Sequence, residues 1–131
     1  MKRTLLLLTL FISIFIVGCG GSGGGKAQPS VFLGNYDGTW TSTDTSVGTA
    51  VIEVQPNGDF AGEFVNTTFS LNGTFHGHLN DDGTFEGALT LSGNEFEGAG
   101  QFVLSEDKSS LTGSFTRQST TWTFDFSRIL N

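Results

Sequence analysis

The sequence predicts an all-β domain, a single eight-stranded antiparallel up-and-down β-barrel. Three observations carry that reading. From Asn35 onward apolar and polar residues alternate with period two, and turn signals recur about every ten residues. Every connection is short, which implies a meander. Closing a meander removes its exposed edges, so a barrel is favoured over a sandwich. After the first twenty residues no segment sustains an apolar period of 3.6, and helix is not expected there.

The predicted strands cover about residues 35–44, 47–55, 59–66, 69–79, 84–92, 95–104, 110–117 and 120–129. The turns can be checked against the two faces. In "QPNGD", Pro56-Asn57-Gly58 forms a three-residue loop with Gly58 left-handed, which pairs Val54 with Phe60 on one face. In "NDDGT", Asp81-Asp82-Gly83 repeats the device and pairs Leu79 with Phe85. In "SGNE", Gly93-Asn94 makes a two-residue turn that pairs Ser92 with Glu95. Each turn keeps apolar residues on one face, as burial of that face requires.

The inward face is aromatic and glycine-rich. It takes in Tyr36, Gly38, Trp40, Phe60, Gly62, Phe64, Gly73, Phe75, Gly77, Phe85, Gly87 and Gly100, and it continues through Phe102, Phe115, Trp122, Phe124 and Phe126. In the expected register Gly77 faces Gly87 and Gly87 faces Gly100, a row of missing side chains across three strands. Glycine weakens a strand, so such a row needs a geometric reason, either a bend or space for a large neighbour. An eight-stranded barrel is just wide enough to be filled by side chains or to hold one small ligand. A filled interior is favoured. The alternative is a pocket for a small apolar molecule lined by Trp40, Phe75, Phe85, Phe102, Phe115 and Trp122.

Ahead of the barrel stands "MKRTLLLLTLFISIFIVGCG", a basic start, an apolar run from Leu5 to Val17 and then small residues. The run is shorter than the roughly 20 residues of a transmembrane helix, and it fits a secretory signal peptide. Ile16-Val17-Gly18-Cys19 resembles the lipobox of bacterial lipoproteins. That resemblance implies cleavage after residue 18 and lipidation of Cys19, the only cysteine in the chain. The next residue is Gly20 rather than the aspartate associated with inner-membrane retention, which favours the outer membrane. The expected organisation is thus a signal peptide at 1–18, lipidated Cys19 with a tether over 19–33, and a barrel over 34–131. The glycine-rich stretch Gly20–Ser30 has few side chains to bury and an expected mean reach of roughly 17–20 Å.

Charge narrows the partners. After Cys19 the chain carries four Lys and Arg against thirteen Asp and Glu, a net charge of −9. That argues against nucleic acid and against electrostatic docking on anionic lipid. The membrane contact is expected through the lipid, with a protein or a small apolar ligand as partner.

Two stretches resemble known barrels. Gly38-Thr39-Trp40 in the first strand, with Arg128 ending the last, is similar to the lipocalin and avidin group, where an early Trp and a late Arg close one end. The resemblance gives Gly38, Trp40 and Arg128 a structural closing role. Biotin binding is not implied, because the inward face lacks the necessary cluster of Asn, Ser and Thr. From Asn66 to Arg128, "LNGTFHGHL", "GNEFEGAGQF", "LTGSF" and "FDFSR" are similar to the barrel of surface lipoproteins of the transferrin-binding protein type. This implies a packed, lipid-anchored scaffold for partner contacts. The lobes and loops that contact host proteins in that family are absent, so transferrin binding is not implied.

The polar face offers little chemistry. His76 and His78 are expected to point outward with Glu86 opposite His78, a set that could in principle bind zinc but lacks fixed geometry. Asp81 and Asp82 lie in a turn too small to supply six oxygens to calcium. Glu95 and Glu97 sit on the convex exterior, where no cleft excludes water. Arg117 is expected at the rim. No nucleophile–base set, CxxC pair or phosphate loop is present, so no metal, cofactor or enzymatic activity is expected.

Overall fold

The computed structural model describes residues 28–130, which hold one closed barrel of eight antiparallel strands. The strands are β1 (Gly34–Ser42), β2 (Val47–Val54), β3 (Asp59–Asn66), β4 (Leu71–Leu79), β5 (Thr84–Leu91), β6 (Asn94–Leu104), β7 (Ser110–Arg117) and β8 (Thr120–Arg128). Each pairs with its sequence neighbours, and β1 closes on β8 from Tyr36↔Arg128 to Ser42↔Trp122. The expected fold class is therefore observed. Cys19, expected to be lipidated, the expected signal peptide and most of the expected tether lie outside the described residues.

The registers at Val54↔Phe60, Leu79↔Phe85 and Gly77↔Gly87 are those expected. Gly58 and Gly83 carry the positive φ values, +92° and +91°, that their turns require. One register differs. The β5–β6 turn is Ser92-Gly93, both with positive φ, so Leu91 pairs with Asn94 and Thr90 with Glu95. Gly87 consequently faces Gly98, not Gly100. The slip is two residues of pairing, so both faces are preserved. Ser92 takes a left-handed conformation, so the turn falls one residue earlier than the expected Gly93-Asn94. Two strand ends also differ. β1 stops at Ser42 because Asp44 builds the next turn, and β4 begins at Leu71 because Phe69 N–H bonds Asn66 Oδ1 in the preceding loop.

Three of the connections share one construction. Ser42 N–H bonds Ser46 O, Gln55 N–H bonds Asp59 O and Asn80 N–H bonds Thr84 O, each around a three-residue loop. In each loop an Asp or Asn (Asp44, Asn57, Asp82) accepts the backbone N–H two residues on, and the residue between them is left-handed. The β6–β7 loop repeats the device one residue longer, with Asp107 accepting from Ser109 and Lys108 left-handed.

The two ends of the barrel differ. At the proximal end stand the β2–β3, β4–β5 and β6–β7 turns and the segment before β1. That segment turns through Ser30–Leu33 and places Phe32 in the core, 4% exposed. The assignment of residues 31–33 to the tether is thus corrected. A phenylalanine in the mouth removes more apolar surface from water than a solvated linker could, and it draws its neighbours into the fold. The distal end carries the other four turns and leaves Phe64, Leu89 and Trp122 only partly covered.

Candidate functional site

The interior is the first place to seek a site, and its packing follows from the glycines. Trp40, Phe60, Phe64, Phe75, Phe85 and Phe102 each lie over the glycine paired with them on a neighbouring strand. A Cβ on any of those glycines would approach the ring closer than 3.0 Å. The glycines also let neighbouring backbones come in close. At Gly38 a Cβ would collide with the Asp125 carbonyl, on the strand that closes the barrel. Glycine here provides both the bend and the space for a ring.

The row Gly77–Gly87–Gly98 is filled in this way from its two sides. Phe60 Cζ would be 2.7 Å from a Cβ at Gly77 and 3.4 Å from one at Gly87, while Phe115 reaches over Gly98. The gap in the sequence holds phenyl rings.

The side chains that would line a ligand pocket are packed against aromatic neighbours. Phe85 stacks on Phe102 with ring centroids 4.8 Å apart, and Phe115 meets Trp122 at 5.5 Å. Trp40 bonds its indole N–H to the Thr49 carbonyl at 3.1 Å and meets Phe64 edge-on. Phe75 and Phe124 lie nearly parallel at 6.4 Å. Between these rings, among the described residues, lie two adjoining apolar voids of about 20 Å³ each, which share Phe75, Leu89 and Phe124 as walls. Each has room for about one water molecule and no polar partners for it. Among the described residues every buried side-chain nitrogen or oxygen has a hydrogen-bond partner, so no polar group waits unpaired inside.

The proximal mouth is locked by Arg128. Its Nε donates to Lys108 O at 2.7 Å, its Nη1 to Leu33 O at 3.0 Å and its Nη2 to Tyr36 Oη at 2.8 Å. The guanidinium stands 5.1 Å from the Tyr36 ring centroid, and Tyr36 Oη donates to Phe32 O at 2.7 Å. Burial holds the Tyr36 phenol above its ordinary pKa, with Arg128 opposing the shift. Arg128 therefore ties together β1, the β6–β7 loop and the segment before β1. The tie is to Tyr36. Trp40 lies four residues farther along β1, opposite Phe124, and Gly38 between them admits the Phe126 backbone. Sequence reasoning placed Tyr36 inside but missed its role, which the spacing of Tyr36, Trp40 and Arg128 on paired strands could have indicated.

At the distal mouth Arg117 stands 4.6 Å above the Phe96 ring, a cation–π contact at the rim. The outer face carries His76 and His78, both exposed. Glu86 is opposite His78 in register, as expected, but the hydrogen bond from His78 Nδ1 runs to Asp59 Oδ1 at 2.8 Å on the other side, on β3. Among the described residues no group of three or more His, Cys, Asp or Glu is placed to hold a metal ion. Asp81, Glu95 and Glu97 are exposed, and Asp82 serves its turn by accepting from the Thr84 N–H and hydroxyl. Hydrogen bonds hold the carboxyls of Asp44, Asp59 and Asp82 below their ordinary range and that of Asp107 at about 2. These are turn and hairpin contacts on a solvated surface, not a cleft.

The sequence matches no protein-family model, and neither the curated proteins nor the solved structures give a significant match.

Proposed function

We propose that the chain is a lipid-anchored lipoprotein of the bacterial cell envelope, on the outer rather than the inner membrane. Its filled barrel acts as a non-enzymatic structural or interaction module. The observation that carries the second half is the packing of the interior: rings occupy the glycine row, and the two voids of about 20 Å³ between them are each far smaller than a ligand pocket of roughly 300 Å³ or more. The first half rests on the N-terminal residues, with the apolar run Leu5–Val17 leading to Cys19. Partner contact then falls to the barrel surface.

Two measurements test the reading. Mass spectrometry of the N-terminal peptide should find an acylated Cys19, and Cys19→Ser should leave an unprocessed precursor. Normal processing of that variant would overturn the anchor. Titration with fatty-acid or retinoid-like probes should leave the fluorescence of Trp40 and Trp122 without a saturable change. Saturable quenching would replace the filled module with the alternative, a carrier of a small apolar ligand that enters past Trp122.

A further inference from the structure

The proximal end has an apolar rim where a solvated rim would be expected. In the turn Ser30–Leu33 only the Phe32 side chain enters the barrel, whereas Val31 on one side is 53% exposed and Leu33 on the other is 39% exposed. Beside them β8 runs on into Ile129, whose N–H bonds Asn35 O, and Leu130; both side chains are exposed. Arg128 Nη1 holds the Leu33 carbonyl, so the turn and the end of β8 are tied side by side. Four apolar side chains thus face outward at one end of the barrel. The chain ahead of residue 28 arrives at that same end.

We infer that this rim (Val31, Leu33, Ile129 and Leu130) rests on the surface of the lipid bilayer. The inference rests on the lipoprotein reading above. Between Cys19 and Gln28 lie eight residues, mostly glycine, with a mean reach of roughly 16 Å. A lipid on Cys19 would therefore keep the proximal end within about 16 Å of the membrane, close enough for exposed apolar side chains to reach the interface. The rest of this end is acidic, with Asp59, Asp81, Asp82, Glu106 and Asp107 on its turns. Those charges are repelled by anionic head groups, so the contact suits a zwitterionic surface and weakens on an anionic one. In this pose β1 and β8 lie nearest the lipid, and the mouth at Trp122 faces away from it.

The full-length chain, processed in cells and reconstituted in phosphatidylcholine vesicles containing brominated lipid, tests the pose. A bimane label is placed at Asp81→Cys near the proximal end or at Phe69→Cys near the distal end. The expected result is quenching at least about twofold stronger at position 81 than at position 69. Adding Val31→Ser, Leu33→Ser and Ile129→Ser together should bring position 81 down to the level of position 69, and Val31→Ser alone should move it part of the way. These side chains are exposed, and the melting transition of each variant checks that it folds. Equal quenching at the two positions, or quenching at 81 that the serine variants do not change, overturns the inference while an acylated Cys19 peptide keeps the lipoprotein reading. Absence of acylation overturns both.

Discussion

The ring of Phe60 lies over Gly77 so closely that a Cβ there would come within 2.7 Å of its Cζ. The same Cζ would be 3.4 Å from a Cβ at Gly87, directly across the β4–β5 pairing. One phenyl ring therefore occupies the space that two facing residues leave open, and it meets Phe85 edge-on with centroids 5.4 Å apart. A strand glycine that would be a weakness alone becomes part of the core through its neighbour.

Gly77→Ala should consequently destabilise the barrel by about 1–3 kcal/mol, the range for forcing atoms into a packed core. The Glu86 carbonyl and Gly87 Cα also lie in the way. Phe60→Leu shortens the ring side of the clash but not the backbone side. In a double-mutant cycle by urea denaturation, Gly77→Ala should cost less in the Phe60→Leu background than alone, without becoming neutral. Strict additivity would show that the ring and the glycine are not coupled.

Four aspartates make the domain sensitive to acid. Asp107 is held at about 2 by hydrogen bonds from the Ser109 and Ser105 hydroxyls and the Ser109 N–H, and Asp44, Asp59 and Asp82 are shifted the same way. A depressed carboxyl binds its proton more weakly in the folded chain than in the unfolded one. Its stabilisation is therefore complete above the ordinary value of 3.8 and is lost as pH falls toward 2. Melting temperature should fall through that window. Asp107→Asn, which keeps an acceptor oxygen but does not titrate, should make the fall shallower; an identical profile would remove Asp107 from the linkage.

How far the fold was legible follows from the same turns. Gly58 and Gly83 mark their loops because glycine takes a left-handed conformation without steric penalty, and both registers followed from them. Ser92, Thr45 and Lys108 take that conformation with no such mark, and the β5–β6 pairing was displaced as a result. The glycine row was visible from alternation, but what fills it depends on which rings reach across strands, and that is a matter of packing. Phe32 was hidden because it precedes the alternating pattern and sits in a turn. The Asp59–His78 contact was hidden because the β3–β4 loop, Thr67–Ser70, contains no glycine or proline to set its register.

The left-handed residues without glycine offer a gain in stability. Thr45 has φ +73° and Lys108 has φ +60°, and an L-residue pays about 1–2 kcal/mol there relative to glycine. Glycine returns part of that through the larger freedom it has when unfolded, about 0.4–1 kcal/mol. Lys108→Gly and Thr45→Gly should each stabilise the barrel by roughly 0.5–1 kcal/mol, read as a higher urea midpoint with an unchanged slope. The Lys108 carbonyl still accepts from Arg128 in the variant, because that contact is made by the backbone. A lowered midpoint in both variants would show that the loops gain more from the side chains than they lose to the backbone.

At the other pH extreme the proximal lock should open. Tyr36 is the only tyrosine in the chain, buried, and its phenol donates to Phe32 O while accepting from Arg128 Nη2. Burial raises its pKa above the ordinary 10.0, so the unfolded chain gives up this proton more readily than the folded one. The resulting stabilisation is complete below about pH 10 and is lost as pH rises through the folded value. Phenolate absorbance of the native protein should therefore appear later in an alkaline titration than in the urea-unfolded chain. Tyr36→Phe should lower stability at neutral pH by about 1–2 kcal/mol through the two lost hydrogen bonds, and should remove the alkaline decline that the phenol causes. Arg128→Lys leaves the phenol in place but cannot reach Lys108 O, Leu33 O and Tyr36 Oη together, so it should loosen the turn that carries Phe32. Hydrogen exchange would read that as faster opening at Leu33 and Ile129 than at the Trp40–Gly48 pairing toward the distal end of β1; uniform exchange across these sites would mean that Arg128 does not govern the proximal mouth.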